Sequence, residues 1–499
     1  MMSVLKGAGW METGSGSTGL AAQTLLWAGL PGGASWPLLI LAGILAACFL
    51  VLMLRRPDTG TWLFALVLYS NVAAVATRFH GVPSFAAGAT ILLILFPVAY
   101  HVLLRGERIQ FGPAPAAVLG FFAVQFVGVF VAPHRELALE RLLANLAEGL
   151  VLYLLLINAV RTPAILRHAV WALLVAGAGM GALGLFQAAT RTQHLDYGGF
   201  AQVPERLVAE EDEEWVEAPK PRAAGPIGEK NYYAQFMLML APLAFVQRQN
   251  ERLPWMKLLA LGALLLILAG VGLSGSRGAA VGFAAVLLVM AAFRYVTWTQ
   301  LGILGIAGVL VVALTPSYRE RLSSLQPLVD IAMGSATIQN ADKAIQGRAT
   351  EMVAALLIFF EHPLLGVGPG NFGPVFVTKA DLLGFQVHST ERLAHCMYLE
   401  IAAENGALGL LCWVVLLALT LRALHRTRTQ STDPAIRNAA TGFFLALVVL
   451  ASTGVFLSFA YTRYYWFMLA LAGAAAALGQ QIPEKKGEMP VLSRKLEVA

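Results

Sequence analysis

Six side chains in this sequence are suited to group-transfer chemistry, and they lie near the starts of apolar segments. They are His395, Glu400, Glu404, Arg222, Arg277 and Arg348. His395 stands in the stretch AHCMYLEIAAENGALG, and because imidazole titrates near neutral pH it can take a proton from a hydroxyl as a general base. Guanidinium groups bind phosphate, most favourably where helix-start N–H groups point at the same anion. The six residues predict an anion site beside a proton acceptor.

Each of the three arginines has a different possible role besides phosphate binding. Arg277 lies in LSGSRGAA, in a glycine turn directly before a helix, where it could bind phosphate or pair with a lipid head group. Arg222 precedes another helix start and could instead balance the acidic residues of its own loop. Arg348 opens a loop helix, and its alternative is an ordinary surface arginine. Phosphate binding is the shared prediction.

The two glutamates are four residues apart, so they share one face of a helix. Charges near a bilayer are costly, and Glu400 and Glu404 therefore need a partner such as Arg348 or Arg277. We expect them to orient other groups, and a purely structural role is equally open. His388, in the loop before this helix, is a secondary candidate for the site.

Membrane helices must position these side chains. Hydrophobic residues make up 58% of the 499 positions and charged residues 13%, with a mean hydropathy of +0.68. Soluble domains carry about 25% charged residues. The apolar runs have the length of about 20 residues that a membrane-spanning helix needs, and they lack the alternation of a barrel. The sequence predicts an all-α polytopic membrane bundle of about 12–13 transmembrane helices.

Two long connections divide the chain. We expect N-terminal transmembrane helices over 1–187 and a periplasmic loop with an acidic insert over 188–230. A transmembrane core follows over 231–480, including a large, partly helical periplasmic loop at 316–395, and a cytoplasmic tail occupies 481–499. An apolar run in the second loop is too short to span, so it should rest on the membrane surface or against the bundle.

The distribution of basic residues sets the orientation. Lysines and arginines fill alternate short connections, which places those connections in the cytoplasm and both long loops outside. Arg78, Arg135, Arg141 and Arg277 lie externally against this rule. We therefore expect the functional residues on the external side of a multi-pass protein.

Other function classes lack their sequence features. The net charge is +6, but the basic residues cluster at helix ends and form no stripe with interleaved aromatics, which argues against nucleic acid. The three cysteines have no paired spacing, so neither a disulfide framework nor a zinc site is expected. The sequence also has no glycine-rich phosphate loop, acidic metal pair or serine elbow. We expect no metal, no nucleotide and no cofactor.

The stretch HCMYLEIAAENGALG resembles the signature of the bacterial O-antigen ligase and polymerase family. His395 matches its histidine, and Gly406 and Gly409 match its glycines. Cys396 departs from the pattern, because ligases usually carry Asn, Ser or Gln there. Three further segments within about 220–415 are similar to family motifs: GRATEMVAALLIFFEHPLLGVGPGNF, LSGSRGA and RAAGPIGEKNYYA.

The resemblance implies an inverting, metal-independent glycosyltransferase in the bacterial inner membrane, working on the periplasmic face. Its donor would be a glycan on undecaprenyl diphosphate. A ligase would use lipid A–core as acceptor, whereas a polymerase would extend lipid-linked repeats of O-antigen or exopolysaccharide. Arg222, Arg277 and Arg348 would hold the diphosphate, and His395 would accept the proton. The match around the histidine favours the ligase.

Two other classes stay open. A transporter of lipid-linked oligosaccharide would carry ionisable groups near the midplane and often inverted repeats, whereas here the notable charges gather on one side and no repeat is visible. A structural partner in an envelope complex would not need the histidine or the arginines. Vesicle transport assays and substitution of His395 and Arg277 separate these possibilities.

Overall fold

The structure is a computed structural model that describes four stretches of the chain. They are 51–202 without 52 and 54, 222–306 without 304, 343–382, and 393–480 without 459. His388 and the acidic insert lie outside the described residues. Neither is therefore included in the site described below.

The described residues form helices and loops, and no strand occurs among them. The N-terminal helices are α1 Thr59–Tyr69, α2 Val72–His80, α3 Ser84–Leu104, α4 Pro115–Val131, α5 Arg135–Ala159 and α6 Pro163–Thr190. The later helices are α7 Lys230–Asn250, α8 Pro254–Ser274, α9 Arg277–Ala292, α10 Lys343–Glu361, α11 Phe372–Leu382, α12 Met397–Gln430, α13 Pro434–Thr453 and α14 Arg463–Gln480. The predicted all-α class is confirmed, and α10 and α11 make the loop at 316–395 partly helical.

Six of the described helices are long and apolar enough to cross a membrane: α3, α5, α6, α8, α12 and α13. The pair α1 and α2, bent by 53°, makes a seventh if it acts as one span. Helices α4 and α9 are apolar but shorter. With six such helices among the described residues, the chain is a polytopic helical membrane protein, as its apolar runs predict.

Two helices form the centre of the bundle. Helix α14 is buried at every position from 464 to 476, and α7 is buried from 232 to 244. A helix that is apolar all round is stable only when neighbours cover every face, and these two pack against α5, α8 and α13. Aromatic rings join them, with Phe236 of α7 stacked on Tyr464 of α14 at 4.2 Å between ring centroids. This centre gives the loops at each end a rigid support.

One end of the bundle, which we call the site end, gathers the starts of α7, α9, α12 and α14 and the ends of α8 and α13. Its centre is the loop at 454–462 between α13 and α14. The Met397 N–H at the start of α12 donates to the Gly454 carbonyl at 2.8 Å. The Tyr232 hydroxyl of α7 donates to the carbonyl of Ser458. The loop thus ties the start of α12 to the start of α7.

Candidate active site

His395 has an unusual backbone directly before α12. Its φ is +48°, in the left-handed region that residues other than glycine and asparagine rarely adopt. The hydrogen bond from Met397 to Gly454 holds the chain just after it. Strained backbone of this kind persists only where the surroundings impose it, and it is concentrated at functional sites. The fold therefore fixes the direction in which the imidazole points.

The imidazole of His395 meets a carboxylate from the loop helix α10. Its Nε2 atom lies 3.4 Å from Oε2 of Glu351. The His395 side chain is 31% exposed, whereas Glu351 is 2% exposed. The general base expected from the sequence thus has an acidic neighbour and a partly exposed ring.

Sequence reasoning missed Glu351. It stands three, four and seven residues before Ala354, Ala355 and Ile358, all of which are completely buried. That spacing places a carboxylate on the buried face of an otherwise small and apolar helix surface. A glutamate within an otherwise small and apolar helix face is the sequence feature that could have identified Glu351.

Arg348 lies one helical turn before Glu351 on α10, and it is exposed. Residues three apart are neighbours on a helix surface, so Arg348 and Glu351 lie on adjacent parts of α10, Arg348 exposed and Glu351 buried. The opposite face of α10 exposes large apolar side chains, at Val353, Leu356, Leu357, Phe360 and, just beyond the helix, Leu364. Since the other face packs against α12, the expectation that this segment rests against the bundle is correct.

Arg222 and Arg277 meet at the turn between α8 and α9. Arg222 donates from Nε to the Ser274 carbonyl at 2.5 Å and from a terminal nitrogen to the Gly275 carbonyl at 2.9 Å. These carbonyls end α8, where basic groups are favourable. Arg277 is the first residue of α9, and the N-cap Ser276 accepts from the Ala279 N–H at 3.4 Å. Arg222 thus braces the turn that presents Arg277.

The loop at 454–462 also connects this turn to the histidine. A Cβ placed on Gly278, directly after Arg277, would lie 3.2 Å from Cβ of Phe456. The same loop receives the Met397 hydrogen bond two residues earlier, at Gly454. Arg277 and His395 therefore flank one loop at the site end.

Helix α12 is broken at Gly406, whose φ of +63° and ψ of −167° are not helical. Residues 363–368, which follow α10, dock into the break and replace its missing hydrogen bonds. The replacements are Val367 N–H to Ala403 O at 2.9 Å, Gly368 N–H to Glu404 O at 2.9 Å, Ala407 N–H to Pro363 O at 2.8 Å and Leu408 N–H to Leu364 O at 3.3 Å. An open helix turn inside a membrane bundle is tolerated only when its backbone groups find such partners. The break thereby fixes α10, and Glu351 with it, against α12.

The buried glutamates hold the same junction. Glu404 is 4% exposed, and its carboxylate accepts from the Phe372 N–H that begins α11, at 3.3 Å. Glu400 is 6% exposed, and Arg141 of α5 interacts electrostatically with both carboxylates. Arg141 is one of the external arginines that broke the charge rule. The two glutamates link α5, α11 and α12, which agrees with an orienting role.

Cys396 is the N-cap of α12, with an extended φ of −146° and no side-chain capping bond. Serine and asparagine are favoured at N-caps because their oxygen accepts a helix-start N–H, whereas sulfur is a weak acceptor. Burial raises the pKa of the Cys396 thiol, so the thiol form prevails at neutral pH. The departure from the family signature therefore falls on a capping position.

Replacing Cys396 by serine should raise the stability of the protein by about 0.5–1 kcal/mol, because a hydroxyl oxygen accepts more strongly than sulfur from the N–H groups of Tyr398 and Leu399. Thermal unfolding of the purified protein in detergent measures this change. Cys412→Ser, within α12, is the matched control and should give no such gain. Loss of activity in Cys396→Ser with normal stability would show that the thiol itself is needed.

Among the described residues, no group of three or more His, Cys, Asp or Glu side chains is placed to hold a metal ion. Comparison with curated proteins gives no match. A family model described as O-antigen ligase matches residues 262–414. The matched range contains Arg277, Arg348, Glu351, His395 and the broken part of α12, while Arg222 precedes it. Over residues 262–414, about a third of its length, this membrane protein is similar to the O-antigen ligase family.

Proposed function

We propose that the protein is a membrane glycosyltransferase that moves a glycan from undecaprenyl diphosphate to a sugar hydroxyl. Its most suitable acceptor is lipid A–core, which makes it an O-antigen ligase of the bacterial inner membrane with a periplasmic site. The observation that carries the proposal is His395, held in a left-handed backbone beside a carboxylate and at the same bundle end as Arg277. The family match supports the class of reaction.

The reaction needs one bond to form and one to break. The acceptor hydroxyl oxygen attacks the anomeric carbon of the donor, while the bond from that carbon to the phosphate oxygen breaks. The electron pair of the broken bond stays on undecaprenyl diphosphate, and the hydroxyl proton passes to the imidazole of His395. Attack opposite the leaving group inverts the anomeric carbon.

The arginines stabilise the charge of the leaving diphosphate. Arg277 places a guanidinium at the start of α9, where the helix dipole is positive, and such groups act most strongly where charge develops. Arg348 is exposed next to Glu351, so it can reach a substrate that His395 also contacts. Arg222 holds the turn before Arg277 in place through two backbone carbonyls.

The apolar side of α10 suits a substrate that stays in the membrane. Phe360 is 67% and Leu364 65% exposed, and Leu408 and Leu411 continue this surface along α12. Apolar surface of this extent is stable against lipid chains rather than water. We propose that this surface faces the outer leaflet, which would bring the diphosphate of a lipid-linked donor to the level of the arginines.

Changing Arg277 to alanine should lower transfer by about 100–1,000-fold, because one main stabiliser of the leaving charge is lost. Lysine at this position should restore part of the rate, since it keeps the charge but not the planar fork. The assay measures polymer attached to acceptor at equal protein level. Arg252→Ala, in the exposed turn at the opposite bundle end, is the control. Equal activity of Arg277→Ala and the control would remove Arg277 from the site.

A deletion strain examined by lipopolysaccharide gel tests the function. Core without any O-antigen, with lipid-linked polymer accumulating, is the expected result for a ligase. Core with a single repeat would instead assign the polymerase. An unchanged gel with loss of capsule or exopolysaccharide would move the protein to that pathway.

An assay in vesicles distinguishes transport of the lipid-linked glycan from its transfer to an acceptor. Inside-out and right-side-out vesicles loaded with labelled lipid-linked glycan report movement and bond formation separately. The proposal expects a new glycosidic bond, whereas movement of unchanged glycan would contradict it.

A further inference from the structure

We propose that Glu351 is the positioning residue for His395, so that the two side chains act as a carboxylate–imidazole pair. This inference rests on the proposed function, in which His395 is the base. The pair joins two elements that are far apart in the chain, the loop helix α10 and the start of α12. In the structure, Oε2 of Glu351 lies 3.4 Å from Nε2 of His395.

The contact is held from both sides. Helix α10 is fixed to α12 by the backbone exchange around Gly406 and by the buried face that includes Ala355 and Ile358. His395 is fixed by its left-handed backbone and by the hydrogen bond that follows it. Catalytic hydrogen bonds are often long before substrate binds, so 3.4 Å is a distance that a small ring movement closes.

The burial of Glu351 supports the same role. Its side chain is 2% exposed, on a helix face whose other members are small and apolar. A carboxylate in such a place is unfavourable unless a positive group accompanies it. His395 becomes positive when it takes the acceptor proton, and the carboxylate then stabilises the imidazolium at the moment of transfer.

The pair also selects the tautomer. If a small ring movement closes the 3.4 Å gap to a hydrogen bond from Nε2 to Glu351, the neutral ring keeps its proton on Nε2 and its lone pair on Nδ1. Nδ1 is buried in the structure. The ring or its surroundings must therefore move when the acceptor binds, and Glu351 would hold the correct tautomer through that movement.

Substitution of Glu351 by glutamine tests the pair. Glutamine keeps the size and can still accept from Nε2, but it cannot stabilise the imidazolium. We expect kcat to fall by roughly 10–100-fold while KM for the donor changes by less than about twofold. Aspartate at this position should recover part of kcat. Glu361→Gln on the same helix, an exposed residue paired with Lys379 at 2.6 Å, is the matched control and should behave as wild type.

A double substitution distinguishes positioning from a structural role. In a chain that already carries His395→Asn, adding Glu351→Gln should cause no further loss, because the two side chains act as one unit. Thermal unfolding of each variant shows whether the fold is retained. An unchanged kcat in Glu351→Gln would overturn the inference. So would a loss of kcat that adds fully to that of His395→Asn.

The outcomes separate this inference from the proposed function. If His395→Asn is inactive but Glu351→Gln is not impaired, His395 remains the base and the pair is wrong. If His395→Asn itself keeps full activity, the base assignment fails and the pair fails with it. If Glu351→Gln is destabilised and slow but Glu351→Asp recovers part of kcat, the pair is still supported.

Discussion

Replacing His395 by asparagine should reduce glycan transfer by about 100–10,000-fold, the range that a general base contributes. Asparagine is chosen because it tolerates the left-handed backbone at φ +48° better than alanine does. The variant therefore removes the base with little strain. Gel analysis of surface polysaccharide, together with the amount of protein in the membrane, measures the effect.

His425→Asn provides the control for this substitution. His425 lies exposed near the end of α12, at the opposite end of the bundle, so it should leave transfer unchanged. Normal polysaccharide in the His395 variant at a normal protein level would contradict the proposed mechanism. Loss of the protein itself would call for repeating the comparison with purified protein at equal concentration.

The second large effect concerns the break in α12. Gly406→Ala should destabilise the protein by at least about 3 kcal/mol, because φ +63° with ψ −167° is accessible to glycine almost alone. A Cβ there would also overlap the backbone carbonyl of Leu364 and lie 2.5 Å from the Leu365 nitrogen. The docked segment would be pushed out and its four hydrogen bonds lost. We expect a lower unfolding temperature and strongly reduced transfer.

Gly262→Ala is the matched control for the helix break. Gly262 lies in α8, where a Cβ would meet nothing within 4 Å, so alanine should be neutral or slightly stabilising. A Gly406 variant as stable as this control would show that the break is not required. Stability that falls while the catalytic rate per folded molecule is unchanged would show that the break does not position Glu351.

The sequence sufficed to predict the helical elements. Length and hydropathy predicted the helices, because a membrane-spanning helix needs a long apolar run. The glycine turn in LSGSRGAA predicted a helix start at Arg277, where the structure has one. These features depend on residues near each other in the chain, which is where pattern reasoning is strongest.

The contacts between distant segments could not be read from the sequence. Glu351 and His395 are 44 positions apart, and their pairing depends on how α10 docks in the break of α12. Gly406 was recognised as a glycine of the family signature, and the break that it makes in α12 was not predicted. The partner of the buried glutamates was sought in the loops, whereas Arg141 comes from α5. Each outcome follows from tertiary packing that no local pattern encodes.

Reconstitution of the purified protein tests the central claim most directly. Proteoliposomes would contain a labelled glycan on undecaprenyl diphosphate and lipid A–core, with the wild-type protein compared to His395→Asn. The account predicts that wild type releases undecaprenyl diphosphate as the labelled glycan becomes bound to lipid A–core, and that His395→Asn does both about 100–10,000-fold more slowly. Equal transfer by both proteins, or movement of intact donor without a new glycosidic bond, would contradict it.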